Sequence, residues 1–151
     1  MKNKKTIIKI FYILLIILFI TFIFSNSIET KSESASKSGR LLEIINIILE
    51  KMNIPILATD TLIRKAAHFA EFFVLGTLLF GYTLIDRKVE LKNEIYASFI
   101  ACLVAMSDET IQYFSNRGSM LLDVWLDFLS ATLAISFFYL VTIIIKHKKA
   151  R

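Results

Sequence analysis

The chain has 151 residues, 56% of them hydrophobic and 21% charged, with a mean hydropathy of +0.63 and a net charge of +5. A soluble domain is about half apolar and a quarter charged, so this excess of Ile and Phe, with four glycines and one proline, makes lipid the solvent for much of the chain. Disordered tails, collagen-like repeats and disulfide scaffolds are excluded together. The lone Cys102 sits in an apolar run and reads as a small packing residue. Basic residues gather at the chain ends and between apolar runs, where membrane topology accounts for them, and no nucleic-acid partner is expected.

The pattern predicts an all-α integral membrane protein, a single domain folded as a four-transmembrane-helix bundle. The first span covers residues about 7–24, long enough for a hydrocarbon layer that takes about 20 apolar residues. Its apolar stretch exceeds that of a secretory signal, and no small-x-small cleavage site follows closely, so it is expected to stay as an anchor. Residues 25–65 form an external segment. Its first part, SNSIETKSESASKSGR, reads as a polar, Ser-rich linker. In residues 41–57, Glu43, Asn46, Glu50 and Asn53 fall at helical steps and put one polar stripe on an otherwise Leu/Ile-covered helix. Pro55 ends or redirects that helix. An amphipathic helix of this kind lies at the outer interface, either docked on the bundle or as a lid over a site.

Three further spans are expected at residues about 66–85, 95–114 and 121–145. Lys2, Lys4, Lys5 and Lys9 precede the first; Arg87, Lys88 and Lys92 lie between the second and third; Lys146, Lys148, Lys149 and Arg151 follow the fourth. An even number of spans puts all three groups on one side, and the positive-inside rule makes that side cytoplasmic. Both termini are then cytoplasmic, in spite of six basic residues in the long, mixed-sign external segment.

Ionisable residues inside a span are costly, on the order of 3 kcal/mol each at the helix centre, and each needs an account. The second span opens with Arg64, Lys65, His68 and Glu71, of which Arg64, His68 and Glu71 share one face. The third closes with Asp108, Glu109 and Gln112. The fourth opens with Asp123 and Asp127, and Arg117 lies in the loop before it. With the expected topology all of these lie within about 10–12 Å of an outer helix end, at 1.5 Å per residue. Ser25, Asn26 and Ser27 close the first span at the same level, and the inner halves carry no such residues. Five acids against three fixed cations leave two negative charges when His68 is neutral. A desolvated pocket resists that excess, so shared protons, a protonated His68 or a bound cation must offset it. The spacing matches no specific metal motif, so no metal ligand and no cofactor is assigned. A network fastening the bundle is the bland account, but polar contacts between spans average only about 0.6 kcal/mol, and a network of this size exceeds what fastening requires. Ser130 and Ala134 form a small-xxx-small pair one turn below Asp127, and Gly76 and Gly81 offer the second span a similar close approach.

The same residues carry a family resemblance. RKAAHFAEFFVLGTLL (64–79), SDETIQYF (107–114) and RGSMLLDVWLDFLSATLA (117–134) resemble the VanZ-like membrane proteins. That family's pattern, Arg-Lys-x-x-His-x-x-Glu, then Asp-Glu-x-x-Gln, then Arg followed by Asp-x-x-x-Asp or Asn, is met at Arg64, Lys65, His68, Glu71, Asp108, Glu109, Gln112, Arg117, Asp123 and Asp127. The chain departs from it where Ser130 and Ala134 stand for the usual glycines and Ser27 for a frequent glutamine. The resemblance implies a small multi-pass protein of the bacterial cytoplasmic membrane. The name-giving member is associated with low-level resistance to teicoplanin, a lipidated glycopeptide.

Three functions compete. The leading one is an outer-leaflet polar site that engages the head of a membrane lipid, a lipid-linked cell-wall precursor or a glycopeptide. In it Arg64, Lys65 and Arg117 contact anionic groups, and Gln112, Asp123 and Asp127 complete the ligand-binding set. The second is an enzyme that modifies such a head, with His68, Glu71, Asp108 and Glu109 as acid and base. The third is a structural subunit of a membrane assembly. A transporter ranks below these, because polar groups at one end leave no route across.

Overall fold

A computed structural model describes residues 2–55, 58–85, 89–116 and 121–149. Those residues form five α-helices and no strand: α1 (Lys2–Ile28), α2 (Lys31–Lys51), α3 (Asp60–Leu84), α4 (Leu91–Phe114) and α5 (Leu121–Lys149). Of the residues singled out above, Arg117, Arg87, Lys88 and Arg151 lie outside the described residues.

Among the described residues, three helices are long and apolar enough to cross a membrane: Asn3–Ile28, Asp60–Leu84 and Leu121–Lys149. At 24 residues α4 is about 36 Å long. Its length would suffice, but Lys92 and Glu94 near its start and Asp108 and Glu109 near its end lower its hydropathy. On α1, Ile7, Phe11, Leu14 and Leu18 are exposed, and α5 presents Leu129, Leu133, Phe137 and Leu140 in the same way. Such continuous apolar outer faces suit lipid, not water.

The core lies around α3. Phe72 and Leu75 are fully buried there, beside Ala101 and Ala105 of α4, Ala131 and Ile135 of α5, and Ile23 of α1. In lipid the apolar effect does not drive one helix onto another, so close packing of small residues must do so. The pairing of α3 with α5, the most extensive between helices, follows that rule. A Cβ on Gly76 would run into the Ala131 backbone, with the carbonyl carbon only 2.9 Å away. The Ser130 hydroxyl donates to the Phe69 carbonyl at 2.5 Å across the same contact. Ser130, Ala131 and Ala134 are all fully buried, as expected of a small-residue seam.

The segment between α1 and α3 corrects one expectation. Residues 25–40 are not a linker, since α1 continues through Ser25, Asn26 and Ser27 and α2 starts at Lys31. The physical reason is a capping box. Thr30 accepts from the Glu33 backbone N–H at 3.4 Å, and the Glu33 carboxylate takes the Thr30 N–H at 2.9 Å. The Thr30 hydroxyl also donates to that carboxylate at 2.8 Å, and the two donors of Thr30 hold the carboxyl of Glu33 below the ordinary carboxylate range, the N–H contributing most and the hydroxyl next. The serines that read as linker therefore extend a helix that starts ten residues before its apolar part.

At its other end α2 stops at Lys51, before Pro55. Asn53 takes the left-handed conformation (φ 54°), with its N–H bonded to the Glu50 carbonyl and the Ile54 N–H to the Leu49 carbonyl. This paired pattern caps a helix C-terminus. The polar stripe is also not wholly turned to solvent. Asn46 is half-buried and accepts the Ala58 N–H at 2.8 Å, tying the α2–α3 connection down, and Ser38 donates to Asp60 at the start of α3. Leu41, Ile44, Ile47 and Ile48 of α2 face outward instead.

Candidate functional site

The final residues of α1 and α4 meet the first turns of α3 and α5 at one end of the bundle. Periodicity places Arg64, His68 and Glu71 on one face of α3, and the structure turns His68 toward α4 and α5. Its Nδ1 lies 3.7 Å from Asp108 Oδ2 and 3.7 Å from Asp127 Oδ2. Both distances exceed a hydrogen bond. The Asp108 carboxylate is fully buried and takes donors from α1 and from its own helix: the Ser27 hydroxyl of α1 donates to Oδ1 at 2.5 Å, and Gln112 Nε2, one turn on, donates to Oδ2 at 2.9 Å. Asp127 is equally buried, and among the described residues neither of its carboxylate oxygens has a hydrogen-bond partner. A buried acid with two unanswered acceptors is costly and calls for a function.

Glu71, one turn from His68, accepts from Asn26 Nδ2 at 2.8 Å, so α1 contributes a second side chain. Lys65 Nζ sits 2.8 Å from Asp123 Oδ1, an ion pair that closes the α3–α5 edge where both side chains are part-exposed. Arg64 is half-buried, and its Nε has no hydrogen-bond partner among the described residues.

Two cavities adjoin this network. One, of about 220 Å³, opens between α2 and α3. Arg64, His68, Glu71, Asn26 and the ion-paired Lys37 and Glu29 stand in its polar wall; Leu41, Ile63 and Ala67 supply the apolar one. The other, of about 470 Å³, is a groove between α4 and α5 walled by Met106, Tyr113, Val124, Trp125 and Phe128. Glu109 and Cys102 line that groove too. Consecutive residues on a helix point about 100° apart, so Asp108 and Glu109, adjacent in sequence, serve different spaces. The sites read from the sequence thus divide. His68, Asp108, Gln112 and Asp127 converge with Ser27; Lys65 and Asp123 pair at the rim; Arg64 and Glu71 line the α2–α3 cavity; Glu109 lines the groove.

A sequence match covers nearly the whole chain, for the VanZ/LLP1 family model matches residues 9–143. The chain belongs to the VanZ/LLP1 family. No curated protein and no solved structure matches it. Family membership and three helices apolar enough to span a bilayer together make this VanZ/LLP1 chain a membrane protein.

Two features escaped the sequence reading. Ser27 was set at the level of the polar groups and in place of a frequent family glutamine but given no role, yet it is fully buried and holds Asp108. Glu94 contradicts the expectation that the other half of the bundle lacks buried polar groups. It is 5% exposed at the start of α4, with Oε1 3.4 Å from the Thr83 hydroxyl and Oε2 without a hydrogen-bond partner among the described residues. A signal for it existed: Glu94, Ala97, Ala101, Ala105, Asp108 and Gln112 recur at helical spacing, and all are buried.

Proposed function

We propose that this protein is a four-span protein of the bacterial cytoplasmic membrane, with both termini cytoplasmic, α2 along the outer interface, and an outward-facing site that engages the polar head of an amphiphile. The α2–α3 cavity carries this reading. It joins cationic Arg64 and the Lys37–Glu29 ion pair to the acceptor Glu71 and to apolar walls at the edge of α2, whose outward face is itself Leu- and Ile-rich. A lipid, a lipid-linked cell-wall precursor and a lipidated glycopeptide share the chemistry such a cavity suits: an anionic or zwitterionic head on an acyl chain. The α4–α5 groove, with aromatic walls around Glu109, offers such a molecule a second apolar surface.

The test is lipid retained through purification. Wild type and Arg64→Gln, prepared at equal amounts from one host, are extracted and their amphiphiles compared by mass spectrometry. An anionic species held by wild type and reduced about tenfold in the variant, equivalent to about 1.4 kcal/mol, is expected. Equal retention overturns the reading. Its physiological form is a raised inhibitory concentration of teicoplanin in a susceptible Gram-positive host, lost in Glu109→Gln at equal membrane level.

One observation favours a second reading, an enzyme acting on the same class of head. His68 between two buried carboxylates has the makings of an acid–base centre. Altered lipid species in cells expressing wild type, absent with His68→Ala, would support it; identical lipid profiles would sink it.

A further inference from the structure

We infer that His68, Asp108 and Asp127 form a binding site for one divalent transition-metal cation of the zinc or manganese class. One nitrogen and two carboxylate oxygens, drawn from α3, α4 and α5, lie within 4.8 Å of one another. The two 3.7 Å separations from His68 Nδ1 are too long for hydrogen bonds. They are close to what a common cation imposes: ligands at about 2.0–2.2 Å from one ion stand about 3–4 Å apart.

The independent observation is Asp127. This side chain is 1% exposed, has both oxygens unpartnered, and aims one of them at the imidazole nitrogen, itself buried and unpartnered. A cation among the three answers the imidazole nitrogen and the Asp127 oxygen beside it together, and its double positive charge balances the two carboxylates. The surroundings also fit a metal ligand. Ser27 and Gln112 fix both oxygens of Asp108, the outer support by which ligating carboxylates are oriented. A mixed imidazole and carboxylate set favours zinc or manganese over magnesium or calcium, which prefer all-oxygen shells. Three protein ligands leave positions open for water or a bound head at the α2–α3 cavity, where His68 is also a lining residue. Chain spacing gave no hint of this, because the three ligands come from three helices and no two share a local motif.

The inference does not rest on the amphiphile reading, and its test contains no lipid ligand. Full-length protein free of any histidine tag, stripped with chelator in detergent, is equilibrated with Zn²⁺ or Mn²⁺ alone and desalted, and bound metal is counted. The expectation is about one ion per chain for wild type, with loss of binding in Asp127→Asn and in His68→Gln. Gln112→Ala should weaken binding about 10–100-fold through the orientation of Asp108. His147→Ala, which removes the other histidine at the far end of α5, should bind as wild type does. No retained metal in wild type, or equal binding in Asp127→Asn and His68→Gln, overturns the site. If those variants do not fold, pulsed electron paramagnetic resonance on Mn²⁺-loaded wild type decides: coupling to one imidazole nitrogen supports the site, and its absence overturns it. A failure here leaves the lipid retained by wild type unchanged, so the two readings fall separately.

Discussion

The two ends of the bundle handle buried charge differently. Where α1 and α4 end and α3 and α5 begin, four helices contribute polar groups to one network. Asp108 receives donors from α1 and from its own helix, Glu71 receives one from α1, and Lys65 pairs with Asp123 across α3 and α5. At the other end Glu94 is buried with one oxygen at the 3.4 Å margin of a hydrogen bond to Thr83 and the other unpartnered. The first arrangement fixes groups from separate helices at set distances, as a site requires. The second is a buried acid that, among the described residues, one marginal donor from α3 reaches. A buried carboxylate is thus not itself the mark of a site; the mark is agreement among several elements about where its oxygens point.

That contrast can be broken or sharpened by experiment. The largest effect is expected from Ser27→Ala, which strips a donor from a fully buried carboxylate. Unfolding by denaturant in mixed micelles, with chelator present, should show a loss of about 1–3 kcal/mol, the range for bonds to charged groups and for orphaned buried acceptors. Glu94→Gln should lie at the opposite pole. Removing a half-satisfied charge while keeping the shape should leave stability within about 1 kcal/mol of wild type or raise it. Equal losses in the two variants would erase the distinction between the ends.

The smallest effect concerns α2. The folded carboxyl of Glu33 titrates below its unfolded value, so its support of the helix start is complete above the ordinary glutamate range and disappears as pH falls through the lowered folded value. Hydrogen exchange at the first turn of α2, corrected for intrinsic rates, should show less protection at acidic pH. Glu33→Gln should abolish that dependence. A wild-type profile flat with pH would show that the cap does not hold the helix end.

Much of the site was legible because polar residues in apolar runs are conspicuous and helical spacing assigns them to faces. Arg64, His68 and Glu71 on one side of α3, and Asp123 one turn before Asp127, needed no coordinates. The role of Ser27 escaped, though its depth did not, because a serine at the end of a span looks like a residue returning to water. Glu94 escaped because it stood just before an apolar run and was read as part of a loop. In both cases the missing information was burial, which depends on what a neighbouring helix covers. The serines of residues 25–40 misled for a different reason: Ser is a weak helix former, and a cap with a docked partner outweighs that small preference.

By itself the sequence determined the all-helical class, the apolar outer faces, the end of the bundle that carries charge, and the small residues that let α3 and α5 approach. Those follow from local quantities: hydropathy over a window, a 3.6-residue period, and the presence or absence of a Cβ. Only the tertiary structure decided that Asp108 and Asp127, nineteen positions apart in sequence, meet across one imidazole while Glu109, next to Asp108, faces a different groove. The physical reason is that a helix period sets which way a side chain points from its own axis. Which neighbour stands there is set by how the axes pack, through contacts such as Gly76 on Ala131 that join segments far apart in the chain.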